Sequence, residues 1–410
     1  MREFEAMTRP RAWIGPACLA LLPLAVWPGL ETPFSSPKLI WVVASTVALL
    51  AIPSSAPSAP LPPALRWAAV GWISAFLLAG LAAPLPAFPP VVLGVTAPLF
   101  ALALVRGGVA PLPLMTAQVL GATACSVVAL AQWAGLDPFL LLGWHAPIDG
   151  ASVRMRVYGT LGNPNFVGVL AAMSLAMTLA LAASATTSMR RRLAWTALVV
   201  LAAALVATGS RGAVLGLGAA VAAYAFLRWS RRVRIGVAAV ALFAGVAIAV
   251  SPARPIDTTA AGRVYLWRVV SPRAWEAPFV GHGPGAVTLQ FPRWQREAAR
   301  DGVRDRRFAG LTDHVHNDYL EALVERGVPG LLSLLAPLIA VLVVAIRRAR
   351  PASPVFAGAT AAMVAGAACA LVDFPLARPT ELVCWWGAIA IALQASAAES
   401  TPVTTDTGHV

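Results

Sequence analysis

The sequence predicts an all-α fold: a polytopic transmembrane helical bundle of about 12 spans, with one long outer loop that contains short helices. Three observations predict it. Hydrophobic residues make up 59% of the chain and charged residues only 12%, about half the charge a water-exposed surface carries. The apolar residues fall in runs long enough to cross a bilayer as helix. The arginines cluster between those runs, as they do in the cytoplasmic loops of membrane proteins. The net charge of +13 therefore reads as topology, and no nucleic-acid partner is expected.

In chain order the apolar runs lie at about 12–30, 37–53, 64–83, 91–105, 112–134, 161–184, 193–209, 213–228, 235–250, 330–346, 354–372 and 380–397. The first follows Arg2, Arg9 and Arg11, a pattern shared with signal peptides. No small-residue cleavage site stands out, so this run is expected to stay as a span. With the N-terminus inside and the spans alternating, the inner loops hold Arg66, Arg106, Arg190 to Arg192, Arg228 to Arg234, and Arg347 to Arg350. The short outer loops hold only Lys38, Arg154, Arg156, Arg211 and Arg378. Every dense cluster then lies on one side, with both termini inside and membrane lipid as surrounding solvent. The chain divides as 1–250, a first bundle; 251–329, the long outer loop; 330–397, the closing spans; and 398–410, a Ser/Thr tail expected to be disordered. Cys18, Cys125, Cys369 and Cys384 sit inside apolar runs without ligand spacing, so neither disulfides nor a metal site is expected.

Loops longer than about 15 residues are usually functional or disordered. In the long one, Trp267, Trp275, Phe279, Phe291 and Trp294 are available to pack, so it is expected to be ordered. It contains GRVYLW (Gly262 to Trp267), with Arg263 on an expected helix. It also contains PFVGHGPGAV (Pro278 to Val287), read as a turn whose His282 is solvated. Arg293, Arg296, Arg300, Arg304, Arg306 and Arg307 form a basic stretch whose spacing puts several on one helical face. The densest constellation is DHVHNDYLEALVERGVPG (Asp313 to Gly330). There Asp318 reads as a helix N-cap with Glu321 as its reciprocal acid. His316 would lie just ahead of the positive end of that helix, able to accept a proton. His314 and His316 could equally be ordinary capping residues.

Two further turns carry charge beside apolar runs. In TGSRG (Thr208 to Gly212), Arg211 sits at the bilayer edge. A guanidinium there either snorkels to headgroups or grips a phosphate or carboxylate in bidentate geometry. In DFPLARP (Asp373 to Pro379), Asp373 and Arg378 are read as pairing with each other or anchoring helix ends.

Taken in order, GNPN (Gly162 to Asn165), TGSRG, the R-x-x-x-W of Arg263 and Trp267, HxHNDYLE, and D-x-P-x-x-x-P resemble the O-antigen ligase family of integral-membrane glycosyltransferases. That family also includes O-antigen polymerases and bacterial protein O-oligosaccharyltransferases. The similarity covers roughly the second half to two-thirds of the chain. It implies transfer of a glycan from undecaprenyl pyrophosphate to an acceptor hydroxyl, without metal or cofactor, at the periplasmic face of the bacterial inner membrane. Carried over by motif, the catalytic residues are Arg211, Arg263 and His316, and the long loop is periplasmic. His314, Asn317 and Arg378 are expected to bind substrate. Arg293, Arg296 and Arg300 are expected to attract the phosphates of a lipid A-core acceptor. The chain shows no large extra C-terminal domain of the kind some protein-glycosylating relatives carry, which favours the ligase over the polymerase and the protein transferase. A lipid-linked saccharide transporter would also have twelve spans. The absence of an evident internal repeat, and the gathering of polar residues on one face, count against it.

Overall fold

The computed structural model describes residues 10–52, 61–83, 87–143, 157–237, 258–305, 307–348 and 351–400. Its α-helices are α1 (Pro10–Leu21), α2 (Ser36–Ala51), α3 (Pro63–Ala82), α4 (Phe88–Arg106), α5 (Pro111–Trp133), α6 (Pro164–Ser184) and α7 (Ser188–Thr208). They continue as α8 (Arg211–Arg228), α9 (Thr258–Val270), α10 (Ala286–Arg300), α11 (Asp318–Arg347), α12 (Pro354–Cys369) and α13 (Pro379–Ser400). Among the described residues there is no strand. Among the described residues eight helices are long and apolar enough to cross a membrane, and three apolar helices are shorter, Trp13–Leu24, Ser36–Ala51 and Pro354–Cys369. The expected run at 235–250 lies largely outside the described residues, as do Arg154, Arg156, Arg306 and most of the tail.

The helices alternate in direction, so their ends sort into two faces. On one face Arg228 donates to the Ala352 carbonyl at 2.5 Å and Arg348 to Ser396 at 2.8 Å. Gln394 reaches Val109 there too, beside the C-terminus of α4. On the other face the starts of α6, α8, α11 and α13 come together. The arginine clusters thus lie at one end of the bundle, and the sequence motifs at the opposite end.

Between apolar helices in lipid there is little hydrophobic driving force, and close approach through small residues takes its place. Gly216 of α8 faces Cys369 and the Ala365 carbonyl of α12; a Cβ there would lie 2.3 Å from Cys369 Sγ. Gly358 of α12 meets Ala180 of α6 in the same way, at 2.5 Å. The glycine- and alanine-rich sequence of α12 is therefore what lets α6, α8 and α12 pack tightly.

The long loop has a core of its own. Tyr265, Val269, Val270, Phe291, Trp294, Val315 and Val324 pack into one buried cluster. Each large side chain buried this way contributes about 1.5–3 kcal/mol. Trp275 and Phe279, expected to help, are instead 70% and 78% exposed. Phe291 and Trp294 occupy the buried face of α10, and no equivalent helical face carries the other two.

Three local expectations are corrected. Asn317, not Asp318, caps α11, its side chain accepting from Leu320 N–H at 2.9 Å. Asp318 lies one residue further in and takes the Leu376 N–H instead. Lys38 is not a loop residue: it is buried in the first turn of α2, its ammonium donating to the carbonyls of Ala25 at 2.7 Å and Thr160 at 2.8 Å. His282 is not solvated; its Nε2 lies 2.9 Å from the Arg273 carbonyl and its ring packs edge-on to Trp294. Arg293, Arg296 and Arg300 share an exposed face of α10, as their spacing predicts, and the helix ends at Arg300. Beyond that end, Arg304 turns back to the Ala299 carbonyl and Arg307 pairs with Asp305.

Helix α11 joins the loop to the bundle and is broken once, at Gly327, where φ is 66° and ψ −166°. The break frees carbonyls that a continuous helix would use. The loop stretch GHGPG satisfies them: His282 N–H donates to Val324 O and Gly283 N–H to Glu325 O, both at 2.9 Å. In return Val328 N–H donates to Pro278 O at 2.7 Å. A Cβ at Gly327 would lie 2.5 Å from that same Pro278 oxygen. Gly327→Ala is therefore expected to destabilise the protein by about 2 kcal/mol or more through backbone strain and clash, read as a lowered melting midpoint in detergent. Ala at Gly218, which has open space around it, should leave the midpoint within error.

Candidate active site

Three of the motifs each contribute a helix start. Asn163 of GNPN caps α6, accepting from Asn165 N–H at 2.8 Å. Ser210 of TGSRG caps α8, accepting from Ala213 N–H at 3.3 Å. Asn317 of HxHND caps α11. All three starts pack around the turn between α12 and α13. Gly168 of α6 abuts Ser210 and Ala213, and Gly212 abuts Val372. Asp318 N–H donates to Ala370 O, Asn317 Nδ2 to Leu371 O and Tyr319 hydroxyl to Ala367 O. The positive ends of three helix dipoles therefore point toward one region, which favours an anion there.

Arg211 is the first residue of α8, exposed at this confluence. The Ser-Arg order follows from capping: the serine must be non-helical to cap, which leaves the next residue on the first turn, facing the site. Of the two readings of this turn, the structure does not show Arg378 paired with Asp373; Arg378 directly precedes α13. Its guanidinium lies over Phe166 at 4.1 Å and Phe374 at 5.3 Å, two aromatic faces that hold a cation in place.

The histidine segment is gripped from two directions. Glu321 uses both carboxylate oxygens, one accepting from His314 Nδ1 at 2.8 Å and the other from Val315 N–H at 2.9 Å. From the loop side, Trp267 Nε1 donates to the Val315 carbonyl at 3.0 Å. This explains the R-x-x-x-W spacing: four residues apart on α9, Arg263 shares the face on which Trp267 meets the histidine segment. Arg263 is partly exposed, with its Nε buried and without a hydrogen bond.

Directly after Val315 the chain turns through His316, the only non-glycine residue at positive φ (56°) among the described residues. Such a backbone costs about 1–3 kcal/mol and persists where the surroundings over-determine it. The turn places His316 Nδ1 3.4 Å from Asp373 Oδ1. Asp373 is itself buried, its Oδ1 accepting from Phe374 N–H at 3.0 Å. Phe374 stacks on the His314 ring at 4.2 Å and meets the His316 ring edge-on at 4.8 Å. The two imidazoles therefore have different settings. His314 is part-buried, its side chain 20% exposed, with its Nδ1 bound to Glu321, while His316 is about one-third exposed with a carboxylate behind it.

The remaining expected binders lie outside this confluence. Arg293, Arg296 and Arg300 are exposed on α10, and Arg293 pairs with Glu297 at 2.8 Å. The sequence reading did not assign Asp373 to His316, nor Trp267 to Val315. Asp373 and His316 are far apart in sequence, and only the docking of α11 on the α12–α13 turn joins them. Trp267 was legible as a motif position, without a partner.

Burial by itself would push the His314 imidazole down, but the Glu321 carboxylate at 2.8 Å outweighs it and holds the group above its ordinary 6.5. A histidine raised in the folded state contributes stability that is full below its unfolded value and lost as pH rises through the folded one. The titration of His314 followed by NMR should have its midpoint above 6.5, and Glu321→Gln should move it below. A midpoint unmoved by that substitution would mean the pair is not formed.

Residues 196–335 match the family model described as O-antigen ligase. The comparison with curated proteins finds no match. The matched span begins within α7 and ends within α11, so it takes in Arg211, Arg263, His314 and His316 and stops short of Asp373 and Arg378. That span, about a third of the chain, is similar to the O-antigen ligase family model.

Proposed function

We propose that this protein is an O-antigen ligase, transferring a glycan from undecaprenyl pyrophosphate to a hydroxyl of lipid A-core at the periplasmic face of the bacterial inner membrane. The observation that carries the reading is the convergence of Arg211 and His316 on the α12–α13 turn, where three helix N-termini also meet. The opposite end of the bundle carries Arg228 and Arg348. By the positive-inside rule that end is cytoplasmic, and the convergence is then periplasmic.

The chemistry follows from charge. The acceptor oxygen forms a bond to the anomeric carbon as the bond from that carbon to the pyrophosphate oxygen breaks. Negative charge grows on the pyrophosphate, and the hydroxyl proton must leave. Arg211 and Arg263, aided by the helix N-termini, meet the developing charge without a metal, and one such contact is worth several kcal/mol. His316 takes the proton, a contribution of roughly 10²–10⁴-fold. Asp373, 3.4 Å from Nδ1, orients the ring and stabilises the imidazolium. Attack opposite the leaving group inverts the anomeric centre. Exposed Arg293, Arg296 and Arg300 would draw in the anionic core of the acceptor. Polar residues gathered at one end, with no ionisable relay through the bundle among the described residues, support an enzyme over a transporter.

The test is transfer by the purified protein from a lipid-linked oligosaccharide to each acceptor in turn. Arg211→Ala and His316→Ala are expected to abolish transfer with membrane insertion intact. Arg211→Lys should also be poor, because a point charge does not reproduce the bidentate fork. Near-normal turnover of His316→Ala would remove the general-base role. Transfer to a growing glycan or to a protein, with none to lipid A-core, would reassign the chain as polymerase or protein transferase.

Orientation is checked separately. Cysteines placed at Ala299 and Ala309 should react with an impermeant thiol reagent from the periplasm, and one at Arg191 should not. The reverse pattern would overturn both the topology and the mechanism.

A further inference from the structure

Between Ser271 and Val280 the long loop turns its large apolar side chains outward. Trp275 is 70%, Phe279 78% and Val280 40% exposed, in a loop that buries Phe291 and Trp294 in a core of its own. An exposed cluster of large apolar groups marks a surface that meets something apolar.

The height of this cluster is fixed on two sides. On one side the short 3-10 turn Ser271–Trp275 packs against α11, and the Pro278 carbonyl accepts from Val328 N–H at 2.7 Å. Val328 opens the apolar part of α11, so the aromatics stand level with the point where that helix turns apolar. On the other side the Pro284 carbonyl accepts from Ala87 N–H at 3.1 Å, and Gly283 and Gly285 abut Ala83 and Ala87. Those two alanines flank the turn from α3 to α4. Beside them Leu81, in the last turn of α3, is 85% exposed, and Phe88, the first residue of α4, 77%. Leu332 of α11 is 58% exposed. All three belong to helices long and apolar enough to span, so their exposed side chains face lipid. The loop bridges α11 and the α3–α4 turn at the level where these helices leave the membrane, and its apolar cluster continues their lipid-facing surface.

Charge decides what kind of lipid surface it is. Arg273 is the sole basic residue between Ser271 and Val280. It is engaged by Glu276 at 2.6 Å and by Glu297 at 3.0 Å. The stretch thus has no exposed cation to seek acidic headgroups. What it presents is an indole and a phenyl ring, side chains that favour the boundary between headgroups and acyl chains. We propose that Trp275, Phe279 and Val280 form an aromatic anchor seated in that boundary, with the glycerol and upper acyl region of uncharged phospholipid as its partner. Pro278 to Gly283, next to the anchor, splint the break in α11. The anchor therefore ties the height of the α11 platform, and of the histidine segment that Glu321 grips, to the membrane surface. It requires only that the bundle spans a membrane; neither the transfer reaction nor the orientation of the spans enters.

The test uses the full-length wild-type chain in phosphatidylcholine vesicles. A fraction of the lipid carries a photoactivatable diazirine near the top of one acyl chain, and adducts are mapped by mass spectrometry after illumination. Adducts are expected on Trp275 to Val280, as on Leu81 and Phe88, and not on the exposed face of α10 that carries Arg293 and Arg300. Labelling at Leu81 and Phe88 with none at Trp275 to Val280 would overturn the anchor. The pattern is expected to persist in high salt and to stay the same when phosphatidylglycerol is added. Labelling that needs the anionic lipid and is lost in salt would overturn the apolar contact.

A second arm measures depth. Nitroxides are placed at Phe279→Cys, Leu332→Cys and Ala299→Cys, the native Cys18, Cys125, Cys369 and Cys384 being buried. The ratio of collisions with oxygen to collisions with a water-soluble nickel chelate is expected to be several-fold higher at Phe279→Cys than at Ala299→Cys, and close to that at Leu332→Cys. A ratio equal to that at Ala299→Cys would place the cluster in water and overturn the proposal. Few collisions with either reagent, together with spin–spin broadening that disappears on dilution with unlabelled protein, would mean that a second copy covers the cluster, and would overturn the lipid assignment equally.

Discussion

The break at Gly327 is the constraint on which the site depends. Helix α11 has to be two things at once: a polar platform carrying Asp318, Glu321, Glu325 and Arg326, and an apolar rod from Val328 onward. A straight helix would carry the buried charges on in line with the apolar segment, where an ionisable side chain is expensive. Breaking the helix separates the two halves, but exposes backbone groups that must find partners. The GHGPG loop supplies them, and only glycine fits at Gly281, where a Cβ would fall 2.2 Å from the Glu325 backbone. The glycine-rich stretch is thus a structural splint rather than a phosphate cradle.

From that splint the geometry of the histidines follows. With the platform fixed, Glu321 pins His314 and Val315, and the chain has to leave through a left-handed turn at His316. The turn directs one imidazole into the interior and the other toward Asp373 and solvent. Two histidines two residues apart thereby acquire different chemistry. One is a part-buried partner of a carboxylate; the other has a carboxylate behind it and is about one-third exposed.

The electrostatics divide the site in a similar way. Around Arg211 the starts of α6, α8 and α11 concentrate positive potential. On the far side of His314 a small cleft is lined by Asp313, Asp318, Glu321 and Glu325. Phe374 lies between them, in contact with both imidazole rings.

Much of this was legible in the sequence, and the reason is local. Apolar run length and arginine placement depend only on composition along the chain, so the helical class and the gathering of motifs at one end could be read directly. Capping is local too: Asn163, Ser210 and Asn317 each precede the helix they start, although Asp318 competed for that role and lost it by one residue. What pairs across the fold was not legible. Asp373 and Arg378 were read as pairing with each other or anchoring helix ends, yet Asp373 faces His316, because α11 docks on the α12–α13 turn. Lys38 was read as a loop charge, yet it is buried between two carbonyls contributed by distant segments. Sequence determines which helices form and where polar groups sit along them. Only tertiary packing decides which buried charge meets which partner, since that depends on distances between segments that composition does not encode.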